Sequence, residues 1–375
     1  MNSRRGQPFR VHQFHYSVSP SDGISHQLFF IQSALRQIGI SGEVFASQLI
    51  GGIKPPRVFK FNPEKMWDCD LLLIHHSHGN PILRKLARIE IPKALMYHNI
   101  TPARFYPHDP FLADLSHLGR KQLTAIRNEV IATFTASRFN SIDLKKHNFP
   151  NPQILPLLDL SDELKEISTK KFHTQPDEPK NILFVGRITR HKNQAQIVKV
   201  FFHLKKTLPK NSKLFLVGSQ DKVYGDYLKL LIRQLGLQND VKLTGSVTQK
   251  VLEHYYEISD AFVCLSEHEG FCLPLVEAMS RHVPTFFAPK TGVKETMGKS
   301  GVALLTDQPF EQAQIITTVL NSSKAIKTIL NSQHQRLLEL CQEQSKEKVQ
   351  GLILELVKCL RNNPEIHFER ELLKR

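Results

Sequence analysis

The pattern that most restricts this chain is an alternation, run through twice, of short apolar segments with longer segments of helical period. In the first run, residues 9–14, 43–46, 71–74, 93–97 and 132–135 read as strands. Between them, 26–38 and 111–129 read as helices; in the former Leu28, Phe29, Ile31, Leu35 and Ile38 recur at helical spacing. The second run places strands at 181–185, 213–217, 241–244, 261–265 and 285–288, with helices at 193–208 and 227–235. Strands that alternate with helices build parallel β-α-β units covered on both faces. From 160 to 180 the chain turns polar, with Pro176 and Pro179, and reads as a linker. A chain of 375 residues also exceeds what one core fills. The expected fold class is therefore α/β, with two Rossmann-like doubly wound domains: 1–165, a linker at 166–180, and a second domain over 181–345. Residues 310–360 read as almost wholly helical. In such folds ligands bind at the carboxyl ends of the strands, here in a cleft between the two halves.

Charge narrows the partners. Lysine and arginine number 50 against 35 acidic residues, a formal net charge of +15, which favours nucleotide phosphates, nucleic acid or anionic lipid. The basic residues are spread along the chain with no nucleic-acid motif or interleaved aromatic platform, so nucleic acid is not an expected partner. Five scattered cysteines without a C-x-x-C pair suggest neither a disulfide framework nor structural zinc, and fit a reducing cytoplasm. No apolar segment of signal-peptide length follows the basic start, and runs such as 71–74 and 261–265 are too short to span a bilayer. The expected location is cytoplasmic, at most peripheral at the inner membrane face.

Four local motifs carry chemistry. Glu269-Gly270-Phe271-Cys272-Leu273-Pro274-Leu275-Val276-Glu277-Ala278 runs from a strand end into a helix, whose first N–H groups and dipole suit an anion. Gly270 permits close approach, and Glu277 suits two adjacent ribose hydroxyls; a capping carboxylate and a surface glutamate remain the plainer alternative. Gly186-Arg187-Ile188-Thr189-Arg190-His191-Lys192-Asn193 offers a guanidinium fork and an ammonium to a diphosphate, or is a solvated basic loop. Gly23 stands at a strand-to-helix turn, with Ser25 as the alternative helix cap. His98, at the end of a strand, suits a sugar hydroxyl or a structural role. His75, His76 and His78 invite a metal reading, but no carboxylate lies at a helpful spacing, so no metal and no cofactor is expected.

Order and spacing together resemble the GT4-type family of retaining glycosyltransferases, which have the two-domain GT-B fold. Glu269 and Glu277 stand in register with the family's E-x7-E element, E-G-F-G-L-P-x-x-E-A. Gly186, Arg187, Lys192 and Asn193 match G-R-x-x-x-x-K-N; Leu216-Val217-Gly218 and Thr244-Gly245-Ser246-Val247 are similar to further family turns. The resemblance is strongest over 181–304 and implies roles. Arg187 and Lys192 would neutralise the donor diphosphate, Glu277 bind the ribose, and Glu269 the donor sugar. The N–H groups of Gly270, Phe271, Cys272 and Leu273 would reach sugar and phosphate. Gly186 and Gly218 would line the pocket, Val247 meet the base, and Gly23 and His98 face the donor's phosphate and sugar. Cys272 departs from the family's usual glycine and would reshape the sugar pocket. A C-terminal helix and tail, 346–375, would return towards the first domain.

Residues 17–26, 75–81 and 97–102 look most like members that build bacterial surface polysaccharides, lipopolysaccharide among them. The implied substrates are a nucleotide-diphosphate sugar, UDP- or GDP-linked, and a glycan or lipid-linked acceptor. Side chains rather than a metal would stabilise the departing diphosphate, and domain closure would exclude water. Arg4, Arg5, Arg10, Lys145 and Lys146 are candidates for holding an anionic membrane surface. The alternative is a catalytically inactive nucleotide- or glycan-binding module of the same fold.

Overall fold

The computed structural model describes residues 8–19, 22–52, 57–160 and 178–362, so Arg4, Arg5 and most of the expected linker lie outside the described residues. The chain divides into two units, one of residues 1–160 with 341–375 and one of residues 161–340.

The first unit carries seven strands: β1 (Val11–Val18), β2 (Val44–Leu49), β3 (Phe59–Lys60), β4 (Leu71–His76), β5 (Lys93–Tyr97), β6 (Ala132–Thr135) and β7 (Gln153–Ile154). They are ordered β3-β2-β1-β4-β5-β6-β7, with every neighbour parallel. Chain order reverses at β1, which pairs with β2 on one side and β4 on the other. Such a switch point opens a crevice beyond the carboxyl ends of the flanking strands. β4 is buried at all six positions, as a central parallel strand requires. Phe14, Phe45, Ile74 and Leu95 pack with Leu123 and Ile126 of the helix Pro110–Ile126. The last helix, Lys346–Asn362, belongs to this unit: Gln350 Nε2 donates to the Ala34 carbonyl at 2.9 Å.

The second unit carries β8 (Asn181–Val185), β9 (Lys213–Val217), β10 (Val241–Gly245), β11 (Ala261–Cys264), β12 (Thr285–Phe287) and β13 (Val302–Ala303). Their order is β10-β9-β8-β11-β12-β13, again parallel, with the reversal between β8 and β11. Its core gathers Ile182, Phe184, Leu214, Leu216, Val263 and Phe286 against Phe201 of the helix Gln194–Leu204. Burying each such side chain contributes about 1.5–3 kcal/mol.

Most expected elements appear within a few residues of their expected bounds. β1 runs on through His15, Tyr16 and Ser17 to Val18 because Ser17 and Val18 still find partners in Gln48 and Leu49. The helix after it starts at Gly23, not residue 26, and Asp22 rather than Ser25 is its cap, accepting from the Ser25 amide at 2.8 Å. The two-residue strands β3, β7 and β13 were not expected; two residues hold too few side chains to show a period.

Candidate functional site

The loops that follow β8, β9 and β10 are laced together. Gly186 N–H donates to the Val217 carbonyl (2.9 Å), Gly218 N–H to Gly245 (3.1 Å), and Ile188 N–H to Ser219 (2.7 Å). A Cβ on Gly218 would lie 2.2 Å from the Gly186 oxygen, and its φ of +143° also demands glycine. This close approach sets the turn from which Arg187 emerges. Arg187 is exposed, and its guanidinium makes no hydrogen bond or ion pair among the described residues. Its carbonyl is held by Gln194 Nε2 at 2.9 Å. Val247 is half-buried in the loop after β10.

Lys192 ends a short 3-10 turn, and Asn193, in the left-handed region at φ +55°, launches the next helix. Lys192 Nζ lies 2.5 Å from Glu269 Oε1, so the ends of β8 and β11 meet in an ion pair across the switch point. Burial opposes the Lys192 charge, but the Glu269 carboxylate outweighs it and holds the ammonium pKa above its ordinary value. His191 is driven down to about 2 by burial and then by Lys192, His268 and Arg187. Cationic potential thus concentrates in this loop.

The backbone of Glu269 is fixed on both sides: its N–H donates to Thr291 Oγ1 (2.9 Å) and its carbonyl accepts from Gly292 (3.1 Å). A Cβ on Gly292 would stand 2.3 Å from the Gly270 oxygen. The Phe271 carbonyl accepts from Thr296 Oγ1, and Phe271 itself is buried. Cys272 holds φ +77° and precedes the helix Leu273–Ser280, which has no side-chain cap. The capping-carboxylate alternative is therefore not realised, and the first turn of this helix has neither a side-chain cap nor an acidic residue. Glu277 is half-buried rather than a free surface glutamate: Tyr256 donates to its Oε2 at 2.7 Å. Burial and then that carboxylate push the Tyr256 hydroxyl well above its ordinary pKa, so it remains a donor. Tyr256 lies one helix earlier, in Gln249–Glu257, where the sequence gives no local sign of its partner.

Two cysteines separated in sequence converge here, Cys264 Sγ and Cys272 Sγ lying 3.9 Å apart. With Glu269 they form a set of ligand atoms within 4.8 Å of one another, chemically suited to a soft cation. The Lys192 ammonium already on Glu269 competes with a cation for that carboxylate. Hydrogen bonding to Cys264, burial and the Glu269 charge push the Cys272 thiol up, which favours neutral sulfur.

In the first unit the strand ends gather histidines instead. His15 lies in the second half of β1, His75 and His76 end β4, and His98 follows β5. His75 Nδ1 lies 2.8 Å from His98 Nε2 and His75 Nε2 lies 3.0 Å from Gln13 Oε1. His76 points to the opposite face, to the Gly119 carbonyl at 3.0 Å, while His78 bonds Ser77 Oγ at 2.9 Å. The metal reading of His75, His76 and His78 fails because adjacent strand residues project to opposite faces. Burial and neighbouring histidines hold His75 and His98 well below their ordinary pKa. His98 is fixed by its N–H bond to the His76 carbonyl (3.0 Å), and Tyr97 Oη accepts from Ile100 N–H (3.2 Å). Gly23 sits in the first turn of its helix, one residue beyond the Asp22 cap.

The family model for glycosyl transferases group 1 matches residues 166–350. That match spans most of the second unit and just under half of the chain. An uncharacterized glycosyltransferase of Methanocaldococcus jannaschii is 34% identical over 120 residues, 32% of this chain and 30% of the relative. The N-acetylgalactosamine-N,N'-diacetylbacillosaminyl-diphospho-undecaprenol 4-alpha-N-acetylgalactosaminyltransferase of Campylobacter jejuni is 28% identical over 198 residues, 52% of each chain. The chain thus spans about half or less of these curated relatives' length. Anabaena HepE, solved with UDP and glucose, superposes with a TM-score of 0.68 at 16% identity, covering 94% of this chain and 100% of that one. The fold of this chain is accordingly of the GT-B class, two Rossmann-like parallel sheets with their covering helices. Among the described residues no helix is long and apolar enough to cross a membrane.

Proposed function

We propose that this chain is a retaining, metal-independent glycosyltransferase that moves a sugar from a UDP- or GDP-linked donor to a glycan or lipid-linked acceptor in surface-polysaccharide synthesis. The observation that carries the reading is the Lys192–Glu269 pair at the strand ends flanking the second switch point, beside the exposed Arg187 and an uncapped helix start. Breaking the anomeric carbon–phosphate bond leaves an oxocarbenium-like sugar and a nucleoside diphosphate. Arg187 and Lys192 neutralise the charge that grows on the diphosphate, more in the transition state than in the ground state. The N–H groups over Gly270–Leu273 bind phosphate and sugar oxygens, and their loop is anchored through Thr291, Gly292 and Thr296. Glu277, oriented by Tyr256, takes the ribose hydroxyls, and Glu269 the donor sugar. Gly186 and Gly218 leave room for the phosphates and Val247 meets the base; the roles proposed for Gly23 and His98 are contacts to phosphate and sugar.

The UDP and glucose bound to HepE support a UDP-linked donor, and the diphospho-undecaprenol in the name of the Campylobacter relative supports a lipid-linked acceptor. Among the basic residues offered for an anionic membrane, Arg10 is paired with Asp68, whereas Lys145 and Lys146 end the helix Arg138–Lys146. A cytoplasmic place at the inner membrane face belongs to this proposal, and co-sedimentation with anionic but not neutral vesicles tests it. The reading as a whole is tested by thermal shift with UDP, GDP, ADP and CMP in chelator, on the wild type and Glu277→Ala. One nucleoside diphosphate raises the wild-type midpoint, and the variant loses the shift. No shift with any nucleotide sinks the proposal, and binding without turnover of the matching sugar nucleotide leaves the inactive binding module.

A further inference from the structure

The buried chain of polar groups in the first unit has a direction. Gln13 is fully buried in β1, and its Nε2 lies 2.9 Å from the Leu28 carbonyl. A carbonyl only accepts, so the amide nitrogen faces it and Oε1 faces His75 Nε2 at 3.0 Å. An amide oxygen also only accepts, so His75 carries its proton on Nε2. Burial keeps His75 neutral, which leaves Nδ1 as a lone pair. That lone pair lies 2.8 Å from His98 Nε2, which must then be the donor. His98, neutral as well, is left with a lone pair on Nδ1, an atom with no hydrogen bond among the described residues, on a half-buried side chain.

We infer that Gln13 and His75 are positioning residues that lock His98 in the Nε2–H form, so that its Nδ1 accepts a hydrogen bond from a sugar hydroxyl of the substrate. The inference rests on the proposed sugar transfer for the identity of the ligand, but not for the tautomer. One rotation of the Gln13 amide would reverse every proton in the chain; the Leu28 carbonyl forbids it. A substrate hydroxyl is suited to this site because it can donate, whereas a carbonyl or phosphate oxygen would meet the lone pair with another. Backbone bonds at His98 and Ile100 hold the ring's position, so the relay decides which atom it presents rather than where it stands.

The full chain, labelled with 15N-histidine, is read by long-range proton–nitrogen correlation without substrate, the His98 signals being assigned by their loss in His98→Asn. The expected wild-type spectrum has the His98 proton on Nε2. In Gln13→Leu the two forms mix. Gln13→Glu, whose protonated acid donates to Leu28 and accepts from His75, keeps the wild-type form and covers a failure of the leucine variant to fold. With the donor class in hand, Gln13→Leu lowers kcat/KM for sugar transfer about tenfold, the effect of one lost hydrogen bond, while the Kd of the nucleoside diphosphate stays unchanged. A wild-type proton on Nδ1, or a folded Gln13→Leu with the wild-type tautomer and kcat/KM, overturns the inference. A wild type that transfers no sugar overturns the proposed function instead, and the spectrum still decides the tautomer.

Discussion

The two units build the same device from opposite chemistry. Each is a parallel sheet with one reversal of strand order, and each collects polar side chains in or beyond the carboxyl-terminal halves of strands at or next to that reversal. In the second unit those side chains are ionic: Lys192 against Glu269, with Arg187 outside. In the first they are neutral rings, His15, His75 and His98, held uncharged by burial. Topology therefore fixes where a ligand group is met, while residue identity decides whether it is met by charge or by oriented lone pairs.

Loss of the ionic side should do the most damage. Arg187→Ala with Lys192→Ala is expected to lower sugar transfer by at least ~10³-fold, from the cost of removing preorganised transition-state donors. Initial rates of nucleotide release measure it, and a fall of less than about tenfold would shift the chemistry towards the first unit. Next comes acid. His15 and His76 titrate at about 4 in the folded chain against 6.5 when unfolded. The unfolded state thus takes up protons first as pH falls, so stability is full above about pH 7 and is lost from 6.5 towards 4, each group costing at most about 1.4 kcal/mol per pH unit. His75 and His98 act in the same direction. Amide hydrogen exchange at pH 7.5 and pH 5 should show the first unit losing more protection than the second, and equal losses would break the contrast.

Smaller effects sharpen it. Lys192→Ala alone leaves the Glu269 carboxylate buried without its cation and should destabilise the second unit by about 3 kcal/mol in urea titration. Adding Glu269→Gln should recover most of that loss, which a packing role for lysine would not allow. Tyr256→Phe removes the donor to Glu277 and should weaken nucleoside diphosphate binding by about tenfold in calorimetry, in line with a hydrogen bond to a charged group. Cys272→Gly relieves a left-handed φ of +77° but removes a side chain next to Cys264, so the thermal midpoint should move by the equivalent of no more than about 1 kcal/mol.

Much of the architecture was open to reading because its causes are local. The runs at 71–74 and Ala261–Cys264 are apolar, and buried parallel strands need little more to be recognised. Arg187, Lys192, Glu269 and Glu277 could likewise be picked out from short motifs at strand ends. Edge strands such as Phe59–Lys60 could not, since two residues carry no period and pair only when a neighbour is present. Sequence also had no means of pairing Lys192 with Glu269, 77 positions on, or Tyr256 with Glu277. Cys264 and Cys272 looked scattered because their meeting depends on a left-handed turn between them and a helix start.

What the sequence determined by itself was the alternation, the two sheets it implies and the polar residues available at their strand ends, because hydrophobic period and turn chemistry act over a few neighbours. Tertiary structure alone decided which of those residues meet, which histidines stay neutral, and which nitrogen of His98 faces outward. Those outcomes depend on burial and on hydrogen bonds between strands far apart in the chain: Gln13 in β1 is 62 residues from His75 in β4.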